Sequence, residues 1–367
     1  MNILDRIQWH EGMLLSPQHF QTESSRVDQL IAFHSMGRHC DAWGIKAFEI
    51  DIAMLAGGKF RILMLEAFMP DGTALKWNGK LESSSLEINL EDLPDNVKNS
   101  ETIDIYIGLP LGTRKNKEGN FRFEEKVSDP VVDDFQDGEP IDIPRLTYNL
   151  KIFVNERPPG SYSSFKLCVL NNVDGVIKVG NYIPPLIDIA VSKFLKEELK
   201  YLSEELRSKA TFCARQVDSQ KGDFSDPDQV STIQRLGLMA LSLPKLESLI
   251  QMNDVTPRQL YLVLCEILGP LSQLKFGGIP NPPPKYLHDD LHSTFSSLFT
   301  SLFKFLEGVS QSYHEVSFDF SIIVDLIHAS TASLGIPLTP KTNDLSIHSG
   351  FKTISKLSPT LANGTSW

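Results

Sequence analysis

The chain reads as a multidomain protein, β first and α after: an antiparallel β-sandwich, then an antiparallel four-helix bundle, then a short C-terminal segment. Three observations predict this. Apolar residues alternate up to about residue 180 and recur at helical spacing beyond it. The strand-like runs follow one another through turns, with no helices alternating between them, which argues against a parallel sheet. A length of 367 residues exceeds what one ordinary core organises. The expected divisions are an arm and amphipathic helix over 1–44, a sandwich over 45–182, helices over 183–308, and the last segment over 309–367.

The arm is Trp9-His10-Glu11-Gly12-Met13-Leu14-Leu15, leading into Ser16-Pro17-Gln18-His19-Phe20. Ser16 can cap a helix, and Pro17 at its first position has the φ a helix wants and lacks an N–H that would be orphaned there. Phe20, Val27, Leu30, Ile31 and His34 then recur at helical spacing, opposite Glu23, Arg26, Asp28 and Gln29, which predicts one amphipathic helix ending near Gly37.

From Ile45 the period becomes two. Phe48, Ile50, Ile52 and Met54 alternate with Glu49 and Asp51, and Gly57-Gly58 turns the chain into a second strand over 60–69. Pro70-Asp71-Gly72 makes the next turn, Pro setting φ and Gly supplying positive φ, into Ala74-Leu75-Lys76-Trp77. Further strands are expected over 86–90, 103–109, 121–123, 146–154 and 164–170. Between them an acidic stretch runs from Glu124-Glu125 through Asp129, Asp133, Asp134, Asp137, Glu139 and Asp142. Its spacing does not follow the EF-hand ligand order, so it reads as a solvated loop.

Ile183-Pro184-Pro185 is a stiff joint at which the period switches. Leu195, Leu199, Leu202, Leu206, Ala210 and Cys213 mark one face of a helix from about Asp188 to Val217. Asp226-Pro227 and Thr256-Pro257 open two more, each with Pro at the first position and Gln three residues after the cap. The first carries Val230, Ile233, Leu236, Ala240 and Leu243, with a kink expected at Pro244. The second carries Leu260, Val263, Ile267, Leu271 and Leu274, with a bend at Gly269-Pro270. After the Pro-rich stretch 280–284, a fourth helix carries Leu291, Phe295, Leu298, Leu302 and Phe305. These stripes are core first, and an oligomer seam is the other use of such surface. Beyond it the chain is Ser/Thr-rich, with one apolar run over 318–327.

Composition narrows function. With 35 Lys and Arg against 46 Asp and Glu, a formal charge of -11 leaves no basic excess for a nucleic-acid backbone. Cys40, Cys168, Cys213 and Cys265 are too scattered for a disulfide framework or zinc ribbon and read as reduced core residues. Asp5, Arg6 and Glu11 interrupt the N-terminus, which does not read as a signal peptide, and the most apolar helical run, 260–274, is shorter than the ~20 residues of a membrane span.

No nucleophile elbow, Walker loop or dinucleotide-binding glycine fingerprint is present. His10-Glu11 opens an H-E-x-x-H pattern, but Leu14 stands where the second His belongs. His34 and His39-Cys40 do not share a helical face. The best metal-like string is His288-Asp289-Asp290-Leu291-His292, since residues four apart are neighbours on a helix. Asp289 and Asp290 equally suit a helix N-terminus, and no further ligand is evident. A metal-dependent hydrolase using His288, Asp289, Asp290 and His292 is therefore an alternative, and the first expectation is no enzyme, no metal and no cofactor.

The string Trp9-His10-Glu11-Gly12-Met13 through Leu15, Pro17, Gln18, His19 and Phe20 resembles the opening of the TssK (ImpJ, VasE) family of type VI secretion baseplate proteins. Three more places resemble that family in the same order: Phe60-Arg61-Ile62 with the turn Pro70-Asp71-Gly72-Thr73; Tyr182-Ile183-Pro184-Pro185-Leu186; and Pro257 to Tyr261 with Leu268-Gly269-Pro270 and Tyr286 to Leu291. The likeness covers about residues 7 to 307. It implies a sandwich similar to the shoulder of phage receptor-binding proteins, a homotrimer, and a non-enzymatic adaptor in the cytoplasm. The N-terminal domain would dock on a wedge of TssF and TssG, and the head on the cytoplasmic domains of TssL and TssM at the inner membrane. Here the short segment after about 310 stands in place of the longer family head. A phage-tail-like structural or receptor-binding module outside secretion is the other reading of such a sandwich. Trp9 to Phe20, apart from Leu14 and Ser16, are the interface candidates.

Overall fold

The computed structural model describes residues 3–37, 41–80, 85–98, 100–112, 115–135, 138–173, 176–219, 226–275, 278–307 and 309. Residues 1–310 form one compact unit. The expectations for His39, Cys40, Asp137 and the run 318–327 lie outside the described residues.

Helix α1, Pro17–Met36, begins where Ser16 and Pro17 predict it. The Ser16 backbone N–H donates to His19 Nδ1 at 3.1 Å, closing a capping box with His in place of the usual Glu or Gln. Strand β1, Gly44–Ile50, pairs antiparallel with β2, Lys59–Phe68, as the hairpin pattern requires. Ile52 and Met54 do not extend β1. They lie in a one-turn helix α2, Ile52–Ala56, because the Asp51 carboxylate accepts the Met54 N–H at 3.0 Å and caps it.

β2 is shared along its length: β3, Ala74–Asn78, pairs with Met64–Phe68, and β4, Glu87–Asn89, pairs with Lys59–Arg61. After a short helix α3, Asp95–Lys98, comes β5, Thr102–Pro110. The expected strands at 121–123 and 146–154 shift. β6, Phe123–Lys126, takes in Glu124 and Glu125 and pairs with β7, Arg145–Tyr148. The chain then breaks at Asn149, whose N–H donates to the Arg122 carbonyl at 2.9 Å, and β8, Lys151–Val154, joins β5 instead. β9, Tyr162–Val173, and β10, Val176–Val179, complete a second four-stranded antiparallel sheet in the order β10-β9-β5-β8. The inward residues of both sheets, among them Phe60, Ile62 and Leu65 with Ile103, Ile105, Leu167 and Leu170, belong to one buried cluster.

Beyond the double proline the backbone returns to β1. The Ile45 N–H donates to the Pro185 carbonyl at 2.8 Å, and the Ile187 N–H to the Ile45 carbonyl at 2.9 Å. Gly44 makes this possible: at φ 126° a Cβ there would stand 2.5 Å from the Pro185 carbonyl carbon. The helix expected from Asp188 begins later. Asp188 caps a 3₁₀ turn, Ile189–Val191, and α4 runs from Lys193 to Ser219 with the six predicted residues from Leu195 to Cys213 buried.

α5, Pro227–Gln251, α6, Pro257–Ser272, and α7, Leu291–Glu307, follow, and α5 continues through Pro244. α4 packs on α5, α5 on α6, α6 on α7 and α7 on α4, so the helix contacts close a ring. The buried face of α5 differs from the one predicted: Val230 and Ala240 are exposed, while Met239, Leu246 and Leu249 lie inside with Leu243. Apolar residues occupy both sides of α5, so its period alone misplaces the inner face.

Candidate interaction surface

The N-terminal arm lies outside the core. It turns at Glu11 and Gly12, where Gly12 takes φ 79° and the Met13 N–H donates to the His10 carbonyl at 3.3 Å. His10 Nδ1 is 3.0 Å from the Glu11 carbonyl oxygen. Trp9 lies with its ring centroid 5.7 Å from that of the capping His19, and the Leu4 N–H donates to Gln29 Oε1 at 2.8 Å, so the arm folds back along α1. Ten residues were expected to make an interface; Trp9, His10, Glu11, Gly12, Leu15, Pro17, Gln18 and Phe20 are exposed and Met13 and His19 half-buried.

Of the apolar stripe the sequence predicts on α1, Phe20, Val27 and Ile31 face water while Leu30 is half-buried. Phe20 and Ile31 are 58% and 59% exposed, Val27 and Phe33 are also exposed, and of twenty residues only Ala32 is buried. With the exposed Trp9, Leu14 and Leu15 they make a stretch of chain rich in uncovered apolar groups.

The histidine string was the other candidate, and it serves the joint between strands and helices. His288 Nε2 donates to the Trp43 carbonyl oxygen at 2.7 Å, and the Tyr286 hydroxyl donates to Nδ1 at 2.8 Å. Both ring nitrogens are thus engaged. Burial holds His288 below its ordinary pKa, and the Trp43 carbonyl and the nearby Asp41 and Asp289 pull it partly back up. Asp290 Oδ1 accepts the Ser293 N–H at 3.1 Å at the start of α7, the helix-terminal role its position suggested. The Tyr182 hydroxyl donates to the Asp289 carbonyl at 3.1 Å, and burial, then Asp290 and Asp289, raise the pKa of that phenol. Among the described residues, no three His, Cys, Asp or Glu side chains gather to hold a metal ion. Cys168 is a core thiol pushed up to about 12 by desolvation. Among the described residues no helix is long and apolar enough to cross a membrane.

One residue was invisible to sequence reasoning. Arg122 donates to Asp71 Oδ2 at 3.0 Å, to the Pro110 carbonyl at 2.8 Å and to the Thr73 hydroxyl, tying the base of the β6–β7 hairpin to the Pro70-Asp71-Gly72 turn. A pairing across 51 positions leaves no local pattern.

Comparison with known proteins agrees with this architecture. Residues 19–323 match the family model described as "Bacterial Type VI secretion, VC_A0110, EvfL, ImpJ, VasE". The type VI secretion system baseplate component TssK1 of Pseudomonas aeruginosa is 27% identical over 323 residues, 81% of this chain and 68% of that protein. A crystal structure of TssK superposes with TM-score 0.73 at 17% identity, over 83% of this chain and 72% of that one. A chain of a TssK-TssF-TssG baseplate subcomplex solved by cryo-electron microscopy superposes with TM-score 0.69 at 22% identity, over 83% of this chain and all of that one.

Proposed function

The chain belongs to the TssK family of type VI secretion baseplate proteins, and from that membership we propose that it is a non-enzymatic, homotrimeric adaptor of the baseplate. The observation that carries the reading is the family match, which runs continuously from α1 through the sheets and helices.

The parts take these roles in our reading. The two four-stranded antiparallel sheets, sharing a core, form a shoulder-like sandwich over 45–182. The four long helices over 183–308 form an antiparallel bundle, which their closed ring of contacts favours. The arm and α1 are a docking surface for the wedge proteins TssF and TssG, the companions named in the solved subcomplex. Their exposed apolar residues support that role: a lone chain gains nothing by holding Trp9, Leu15 and Phe20 in water, and a partner that covered them would bind by desolvation. Contacts with TssL and TssM would bring the protein, from the cytoplasm, to the inner membrane.

The test is reconstitution: the full chain mixed with TssF and TssG proteins, followed by light scattering and interferometry. A trimer that binds the wedge supports the proposal, and a monomer that ignores it ends the proposal.

A further inference from the structure

The β6–β7 pair is the root of a hairpin that the core does not use. Arg122 clamps its base, as described above, and stands 5.7 Å from the Tyr148 ring. Outward from that base, the Ser128 hydroxyl donates to the Ile143 carbonyl at 2.9 Å, and Val131 and Ile141 exchange backbone hydrogen bonds of 2.8 and 2.9 Å. The arm is therefore ordered by its own pairing well beyond β6 and β7. Along it Val127 and Phe135 are 92% and 96% exposed, and Ile141 and Leu146 are exposed too. Among these apolar groups stand Asp129, Asp134, Glu139 and Asp142, so the arm is apolar and acidic together.

A groove of about 710 Å³ elsewhere on the same chain carries three lysines along one rim, with Glu197 among them. It lies between the 3₁₀ turn, the start of α4 and the end of α5, with Leu199, Leu249, Ile250 and Met252 in its lining, the last two exposed. Lys193, Lys196 and Lys200 follow one another along α4 at intervals of three and four, a single stripe on that rim. Lys193 and Lys200 hold Glu197 and Glu204 at 3.6 and 3.7 Å through exposed pairs that exchange readily for other partners. Of the other acids in the lining, Asp188 is occupied in capping the Ala190 N–H, and Asp254 sits in the turn after α5.

We propose that the hairpin of one copy docks in the lysine-rimmed groove of the next copy, a deeper statement of the homotrimer reading on which it rests. Away from its axis, a closed ring of three is held by pairwise contacts that join two different patches. Hairpin and groove are such a pair, apolar group to apolar group and carboxylate to ammonium. The symmetric alternative, hairpin on hairpin, sets like charges together. Phe135 lies nine positions beyond Lys126, a reach of up to about 30 Å for extended chain.

The test is charge exchange in the full chain, read by light scattering over a dilution series. Asp134→Lys with Glu139→Lys and Asp142→Lys, or Lys193→Glu with Lys196→Glu and Lys200→Glu, each raises the trimer dissociation constant at least about tenfold, and all six together restore most of the loss. An unchanged constant in either set, or no recovery in the combination, overturns the proposal. A monomeric unaltered protein overturns the trimer reading itself and this proposal with it. Because a charge set can also disturb folding, the unaltered trimer, assembled from isotopically light and heavy copies, is coupled with a zero-length carbodiimide. Mixed light–heavy links between hairpin carboxylates and the α4 lysines support the docking, and trimers without them overturn it.

Discussion

His288 Nε2 lies 2.7 Å from the Trp43 carbonyl oxygen, across 245 positions of chain. That bond ties the approach to α7 to the residue preceding β1, and the two rings meet edge-on with centroids 5.0 Å apart. The tautomer is set by its surroundings: Nε2 must carry the proton to donate, which leaves Nδ1 to accept from Tyr286.

The joint is therefore sensitive to acid. Desolvation lowers the His288 pKa below 6.5 in the folded state, so the unfolded chain binds the proton more readily. Stability contributed by this group is full above the unfolded pKa and falls as pH drops through about 6.5 toward the folded value. Melting the unaltered protein and His288→Gln from pH 7.5 to 5 checks this: the variant starts lower, and its melting temperature falls less steeply with acid over that window.

Arg122 and Asp71 form a largely buried ion pair that several further hydrogen bonds complete. Arg122→Ala leaves Asp71 with an unpaired, poorly solvated charge, at a cost of about 1–3 kcal/mol. Amide exchange at β6 and β7 should quicken more than exchange in β5 or β9, which reports whether the loss is local to the hairpin.

Gly44 permits the close passage of the Pro185 segment over β1. Gly44→Ala combines positive-φ strain with a clash against backbone that cannot swing aside, so a loss above about 2 kcal/mol is expected on denaturant unfolding. Leu202→Ala, wholly inside the helix ring, should cost about 2–5 kcal/mol through its cavity.

These residues also show how far the sequence speaks for itself. Ser16 and Pro17 mark the start of α1, and the alternation of Ile103, Ile105, Ile107 and Leu109 marks β5, because capping and strand pleat act over a few residues. Asp51 reads as a polar member of the strand alternation that Ile52 and Met54 also fit, yet its carboxylate caps a helical turn there. The stripe on α1 was legible, but periodicity reveals that a face exists and is silent on what covers it. The role of His288 in the joint depends on Trp43, and that of Arg122 on Asp71, contacts only the folded chain creates.

Trp9→Ala and Phe20→Ala separate folding from docking. Both side chains are about half exposed, so each variant should unfold within about 0.5 kcal/mol of the unaltered chain. Wedge binding, measured by interferometry against immobilised TssF–TssG, should weaken about tenfold or more for each.

The mass of the particle the chain forms, alone and with TssF–TssG, tests the trimeric adaptor. Light scattering of the full chain at micromolar concentration should give about three times the chain mass of 41.1 kDa, moving to a larger complex when TssF–TssG is added. A particle that stays at a single chain's mass, with or without those proteins, would contradict it.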